Sequence, residues 1–172
     1  MVFNAAISIS SAAVNHSQVT VWDYIGRPTT TKTGKGELLM PKKLLMIIQD
    51  EYYIAELVKE IAGMVGNYDT EIYLDGNDAM KRILLDPAPS IVFLSLYLPH
   101  TGGEPVLKAI QANAKWKKPR IYMITSNDSY YRVHKDDKGS TDGILLMDND
   151  LWDNVTQFLT EQAKLGLGDD VV

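Results

Sequence analysis

The chain contains no cysteine. That excludes a disulfide framework, a thiolate nucleophile and any cysteine-ligated metal, and it is compatible with the cytosol. The three histidines, His16, His100 and His134, lack metal-ligand spacing and read as surface residues. No apolar run approaches the roughly 20 residues that a bilayer requires. No basic residue precedes the weak apolar patch at the amino terminus, so a signal peptide is not expected either. The Asn-x-Ser/Thr matches at Asn15, Asn127 and Asn154 are then coincidental. Positive charge is also short: 17 Lys and Arg against 22 Asp and Glu give a formal net charge of −5. This offers no electrostatic footprint for nucleic acid or an anionic membrane. A cytoplasmic protein with neither of those partners is expected.

What is present fits one domain with an appendage, since 172 residues suffice for a proper core. Residues 1–41 differ from the rest. Val19 to Ile25 has strand character, whereas Thr29 to Gly36 is rich in Thr, Gly and Lys without helical period. Gly34-Lys35-Gly36 is not a phosphate loop, because no glycine precedes it at the required spacing and no Ser or Thr follows the lysine. The segment is either a hairpin that packs on the domain or on a second copy, or a stretch upstream of a natural start at Met40.

From Lys43 onward, strand and helix patterns alternate. Leu44 to Ile48 is an apolar run ending in Gln49-Asp50-Glu51, and Ile54, Leu57, Val58, Ile61 and Val65 mark one face of a helix that Gly66 closes. Thr70 to Leu74 reads as a strand, and Asp78 to Leu85 as a helix with Ala79, Met80, Ile83 and Leu84 inward. Ile91 to Leu96 is a short apolar run between Pro89 and the loop Pro99-His100-Thr101-Gly102-Gly103, which marks a central strand buried on both faces. A helix with Pro105 in its first turn follows, burying Val106, Leu107 and Ile110. Arg120 to Thr125 is the fourth strand, a short polar helix spans about 127–135, and Gly139 leads to the fifth strand, Gly143 to Met147. The last helix buries Leu151, Val155, Phe158 and Leu159, ahead of a tail at 164–172. Five strands alternating with five helices predict an α/β fold, a doubly wound parallel sheet with right-handed crossovers. In such sheets ligands and chemistry collect at the carboxyl ends of the strands, where Ser95 is the one polar residue of its strand.

Over residues 42–163 this succession resembles a two-component receiver domain, the flavodoxin/CheY-like fold of chemotaxis-type response regulators, with strand order 2-1-3-4-5. Thr125 lies 30 residues after Ser95, and Met147 lies 22 after Thr125. These intervals match the family's phosphoacceptor, hydroxyl residue and lysine, and Pro99 and Gly103 fit the loop after the acceptor. The pocket positions depart from the pattern. The resemblance implies an acidic pair after the first strand, where this chain has Gln49 and Asp50. It implies an acceptor aspartate where Ser95 stands, a lysine at Met147, a proline at Asp148 and, in many members, an aromatic switch residue at Ile144. Asp50 and Thr125 alone keep the family residue types.

The chemistry of the departures points one way. Mg²⁺ favours near-octahedral oxygen ligation with carboxylates, and Asp50 is the one carboxylate ligand left, so metal binding is expected to be weak or lost and no cofactor is implied. A serine hydroxyl needs a general base to act as a nucleophile, and Asp50 is the one candidate. Without a lysine, no protein cation meets an arriving phosphoryl group. Ser95 reads best as a small polar filler bonded to main chain, with Met147 packed over it. The expected protein is a non-catalytic pseudo-receiver, not an enzyme, acting in signal transduction through contact with a histidine kinase, a scaffold, a regulatory protein or a second copy of itself. No output domain is expected after the last helix. Two other readings stand beside it: a small-ligand or phosphate-binding module using Thr125, Ser126 and Asn127, and a regulator phosphorylated on Ser95. The expected partner face comprises Tyr130, Tyr131, Ile144 and Trp152, with the first helix around Tyr52, Tyr53 and Glu56 as the alternative.

Overall fold

The computed structural model describes residues 42–136 and 141–165, and upstream of these the backbone of three short strands. Expectations for Met40, Gly139 and the end of the tail lie outside the described residues. The chain divides into two compact units, 1–42 and 43–172. In the first, β1 (Val19–Trp22), β2 (Pro28–Lys32) and β3 (Leu38–Leu39) form an antiparallel meander in the order β1-β2-β3. Val19 pairs with Lys32 and Thr31 with Leu39, with an irregularity between Val21 and Trp22. The Val and Thr content suits extended backbone; of the strand expected over Val19 to Ile25, residues 23–25 lie outside the described residues.

The second unit alternates β4 (Lys43–Ile48), α1 (Tyr52–Val65), β5 (Tyr68–Tyr73), α2 (Gly76–Ile83), β6 (Ile91–Ser95), α3 (Gly103–Ala112), β7 (Arg120–Thr125), α4 (Asp128–His134), β8 (Gly143–Leu146) and α5 (Leu151–Leu165). All neighbouring strands pair in parallel, in the order β5-β4-β6-β7-β8, which is 2-1-3-4-5 within this unit. This is the flavodoxin/CheY-like arrangement. Every residue of β6 is buried, as a strand covered by helices on both faces must be.

Side-chain alternation along the strands sorts the core into two layers. Leu45, Ile47, Ile91, Phe93 and Ile124 face α1 and α5, meeting Val58, Ile61, Val155 and Leu159. Met46, Ile48, Val92, Leu94 and Met123 face the other way, onto Ala79, Ile83, Val106, Leu107 and Ile110. Phe93, Tyr122 and Phe158 close the first layer at centroid separations of 4.0 to 6.1 Å. Gly66 ends α1 with φ 75°, the left-handed region open to glycine.

One inward assignment is corrected. Leu84, expected in the core, is 76% exposed, and Arg82, two residues earlier, is buried instead. The helix stops at Ile83, and each guanidinium nitrogen finds an acceptor inside: Glu71 Oε2 at 2.6 Å, the Leu85 carbonyl at 2.9 Å and the Pro87 carbonyl at 2.7 Å. An arginine paired with a carboxylate and bonded at each nitrogen can be buried where a leucine was expected. Trp116, unassigned from sequence, is also buried and donates its indole N–H to the same Leu85 carbonyl.

Candidate functional site

The carboxyl ends of β4, β6, β7 and β8 bring Gln49, Asp50, Ser95, Thr125 and Met147 to one end of the sheet, beside the point where strand order reverses between β4 and β6. Gln49, Ser95 and Thr125 are almost wholly buried, whereas Asp50 is exposed. The Ser95 hydroxyl has two acceptors in reach, Asp50 Oδ1 at 2.9 Å and the Tyr97 carbonyl at 2.8 Å. With one hydrogen it donates to one of them at a time.

Thr125 is committed locally. Its Oγ1 accepts from the Asn127 N–H at 3.0 Å, and its carbonyl accepts from the Met147 N–H at 2.9 Å. Asn127 then caps α4, its Oδ1 accepting from the Tyr130 N–H at 2.9 Å, while its Nδ2 donates to the Tyr97 hydroxyl, also at 2.9 Å. The loop after Ser95 is thereby tied to the start of α4. Sequence reasoning missed Tyr97; its signal was an aromatic two residues past the strand end, in an otherwise Pro- and Gly-rich loop. Gln49 Oε1 lies 3.4 Å from the Glu51 N–H, and its buried Nε2 has no hydrogen-bond partner among the described residues.

The same loop is latched to α2. His100 Nδ1 bonds Asp75 Oδ2, Thr101 Oγ1 donates to Asn77 Oδ1 at 2.6 Å, and His100 adopts φ 63°. The His100 bond is the first cause holding the Asp75 carboxyl below its ordinary value. Two glycines permit this packing. A Cβ on Gly76 would lie 2.1 Å from the Thr101 carbonyl oxygen, and one on Gly103 would lie 2.1 Å from the Ser95 carbonyl oxygen.

Met147 packs into the α1–α5 layer with Ile124 and Leu151. Ile144 and Tyr130 lie against the opposite layer, with the Tyr130 ring 4.4 Å from that of His134. Of the expected partner face, Tyr131 is half-buried and Trp152 is exposed. Val133 on α4 is 70% exposed and was not singled out from sequence.

No family model matches the sequence. Protein PilG of Pseudomonas aeruginosa is 28% identical over 87 residues, covering 51% of this chain and 63% of PilG, so the chain spans under two thirds of that curated relative. Among solved structures, the Mn²⁺-bound response regulator Rcp1 aligns over 76% of this chain and 98% of its own, at 20% identity and TM-score 0.55. A response regulator receiver domain from Rhodospirillum rubrum aligns over 70% of this chain and 94% of its own, at 16% identity and TM-score 0.60. A CheY-like receiver domain from Methanospirillum hungatei gives 73%, 99%, 22% and 0.55 for the same quantities. The chain has the fold of its structural neighbours, the CheY-like response regulator receiver domains.

Proposed function

We propose that the chain is a pseudo-receiver, a signalling domain that works by protein contact without phosphotransfer. The observation that carries this is the Ser95 hydroxyl at the end of β6, buried and held by Asp50 and the Tyr97 carbonyl where a receiver would present its acceptor carboxylate. Phosphotransfer to a carboxylate needs that nucleophile already ionised, a metal and a cation. The residues here do not fit a divalent ion of the Mg²⁺ type. Asp50 supplies one carboxylate, Gln49 Oε1 faces a backbone N–H, and Met147 is packed among apolar side chains in place of a lysine. No step is therefore routed through a metal.

Signal output then rests on a surface. The α4–β8–α5 region offers Trp152 and Val133 exposed above a layer in which Tyr130 and Ile144 are already packed. A protein partner there, whether a histidine kinase, a scaffold or a regulatory protein, meets a face held in one conformation. This reading places the protein in the cytoplasm; no described helix is long and apolar enough to cross a membrane. The small-ligand alternative gains no support at Thr125 and Asn127, because their groups are bonded to one another, to the α4 backbone and to Tyr97.

A repair series tests the reading. Ser95→Asp alone should stay unmodified by acetyl phosphate with Mg²⁺, because metal ligands and cation remain missing. The triple variant Ser95→Asp, Gln49→Asp, Met147→Lys should gain one phosphoryl group. Modification of the single variant would show that the missing ligands were overweighted.

A further inference from the structure

Between Glu104 and Asp128 the chain has no acidic residue and carries Lys108, Lys115, Lys117, Lys118 and Arg120, within a protein of net charge −5. Arg120 is paired with Asp142 at 2.7 Å. The four lysines are exposed, and among the described residues none has a carboxylate partner. Three of them project from a fixed turn. Asn113 Nδ2 donates to the Ile83 carbonyl at 2.6 Å, Asn113 Oδ1 accepts from the Lys115 N–H at 3.0 Å, and Trp116 between the lysines is buried with its indole bonded to Leu85.

Beside this turn runs an open groove of about 410 Å³ between α2 and α3, lined by Met80, Ile83, Leu84, Ala109, Ala112 and Lys115. Leu84 stands at 76% exposure on its rim. Short alanines on α3 leave room beside it. An apolar floor edged by Lys115, with Lys117 and Lys118 following it in the same turn on an otherwise acidic protein, calls for an occupant with apolar side chains and negative charge.

We propose that the α2–α3 groove docks an acidic amphipathic segment of another protein, with Leu84 and the alanines taking its apolar face and Lys115, Lys117 and Lys118 its carboxylates. Charge decides among occupants. Two copies meeting symmetrically through this face would set lysines against lysines. Nucleic acid would use the cations but not the apolar floor, and it would be repelled by the remaining surface. The site uses α2 and α3, not the α4–β8–α5 face, and is independent of the state of Ser95.

The test is a titration of the full-length, ¹⁵N-labelled chain with a synthetic amphipathic helix of about 18 residues, long enough for several turns. Its apolar face is leucine and its polar face glutamate; a control carries lysine instead. Amide shifts at Met80, Leu84, Ala109 and 112–118 are expected with the acidic peptide only. They should weaken as salt rises from about 0.05 to about 0.3 M. Lys115→Glu with Lys117→Glu should weaken binding about tenfold by replacing attraction with repulsion, and Leu84→Ser should weaken it with the salt dependence retained. Four results would overturn the proposal: no shifts, shifts confined to α4, β8 and α5, equal response to the lysine peptide, or the same residues shifting with protein concentration alone. Binding to phosphatidylserine vesicles without any response to the acidic peptide would assign the surface to membrane and overturn it too.

Discussion

Ser95 Oγ lies 2.9 Å from Asp50 Oδ1 and 2.8 Å from the Tyr97 carbonyl, so a buried neutral hydroxyl at the end of β6 has a carboxylate and a main-chain oxygen as its two acceptors. A receiver's arrangement would set two carboxylates against each other there. Here one carboxylate meets one hydroxyl.

That relationship sets the cost of changing Ser95. Ser95→Ala should lower stability by about 1 kcal/mol, because Asp50 is exposed and recovers a water in place of the hydroxyl. Ser95→Asp should cost more at neutral pH. One of the two carboxyls would then titrate higher in the folded state than unfolded, so the deficit should be smallest at low pH and grow as pH rises from the unfolded value to that raised one. Urea denaturation of both variants between about pH 3 and pH 8 checks this. A Ser95→Asp deficit independent of pH would contradict it.

Gly103→Ala should be among the most damaging small substitutions in the domain. The added carbon would meet the Ser95 and Leu96 carbonyl oxygens at 2.1 and 2.9 Å, both backbone atoms with no side chain to swing aside. A loss of about 2–4 kcal/mol is expected in equilibrium unfolding. Gly63→Ala, whose new carbon would meet nothing within 4 Å, serves as the control and should be neutral or stabilising.

Burial pushes the Tyr68 phenol up to about 12, and its hydroxyl donates to the Leu159 carbonyl at 2.8 Å. Because the folded value lies above the unfolded one, its contribution is complete below about pH 10 and is lost as pH rises toward 12. The difference in tyrosinate absorbance between the native chain and Tyr68→Phe should therefore appear late in an alkaline titration. It should coincide with loss of helical circular dichroism. Ionisation of that difference signal near pH 10 in folded protein would contradict it.

Trp152→Ala and Tyr131→Ala test the output face. Trp152 is exposed beside the buried Leu151 and Val155, and Tyr131 is half-buried on α4. Each should cost on the order of 1–3 kcal/mol in binding if it anchors a partner, with capture from the native host insensitive to phosphodonors. Undiminished capture by both folded variants would move the interface, most directly to Tyr52 and Tyr53 on α1, which are 61% and 65% exposed.

The fold was legible because β4, β6 and β7 are short apolar runs punctuated by Pro and Gly, and because helical stripes such as Ile54, Val58 and Ile61 repeat at the right period. Leu84 and Arg82 exchanged places because a local stripe cannot anticipate Glu71 and two loop carbonyls arriving as acceptors from elsewhere in the fold. At the site, strand ends located Ser95, Thr125 and Gln49, since position along a buried strand fixes where its last residue sits. From sequence, Asp50 reads as the one base candidate for Ser95, and the structure brings the two within 2.9 Å. The second acceptor, the Tyr97 carbonyl, and the Tyr97–Asn127 link depend on loop conformation that the Pro–Gly spacing did not encode. Met147, expected over Ser95, packs into the α1–α5 layer, the face of β6 that Ile91 and Phe93 also present.

The central claim is that this pocket does not accept a phosphoryl group. Intact-mass measurement of the native chain after incubation with acetyl phosphate and Mg²⁺ tests it most directly. An unchanged mass, with no amide shifts on adding beryllofluoride, is the predicted result; a stoichiometric gain of one phosphoryl group would contradict the account.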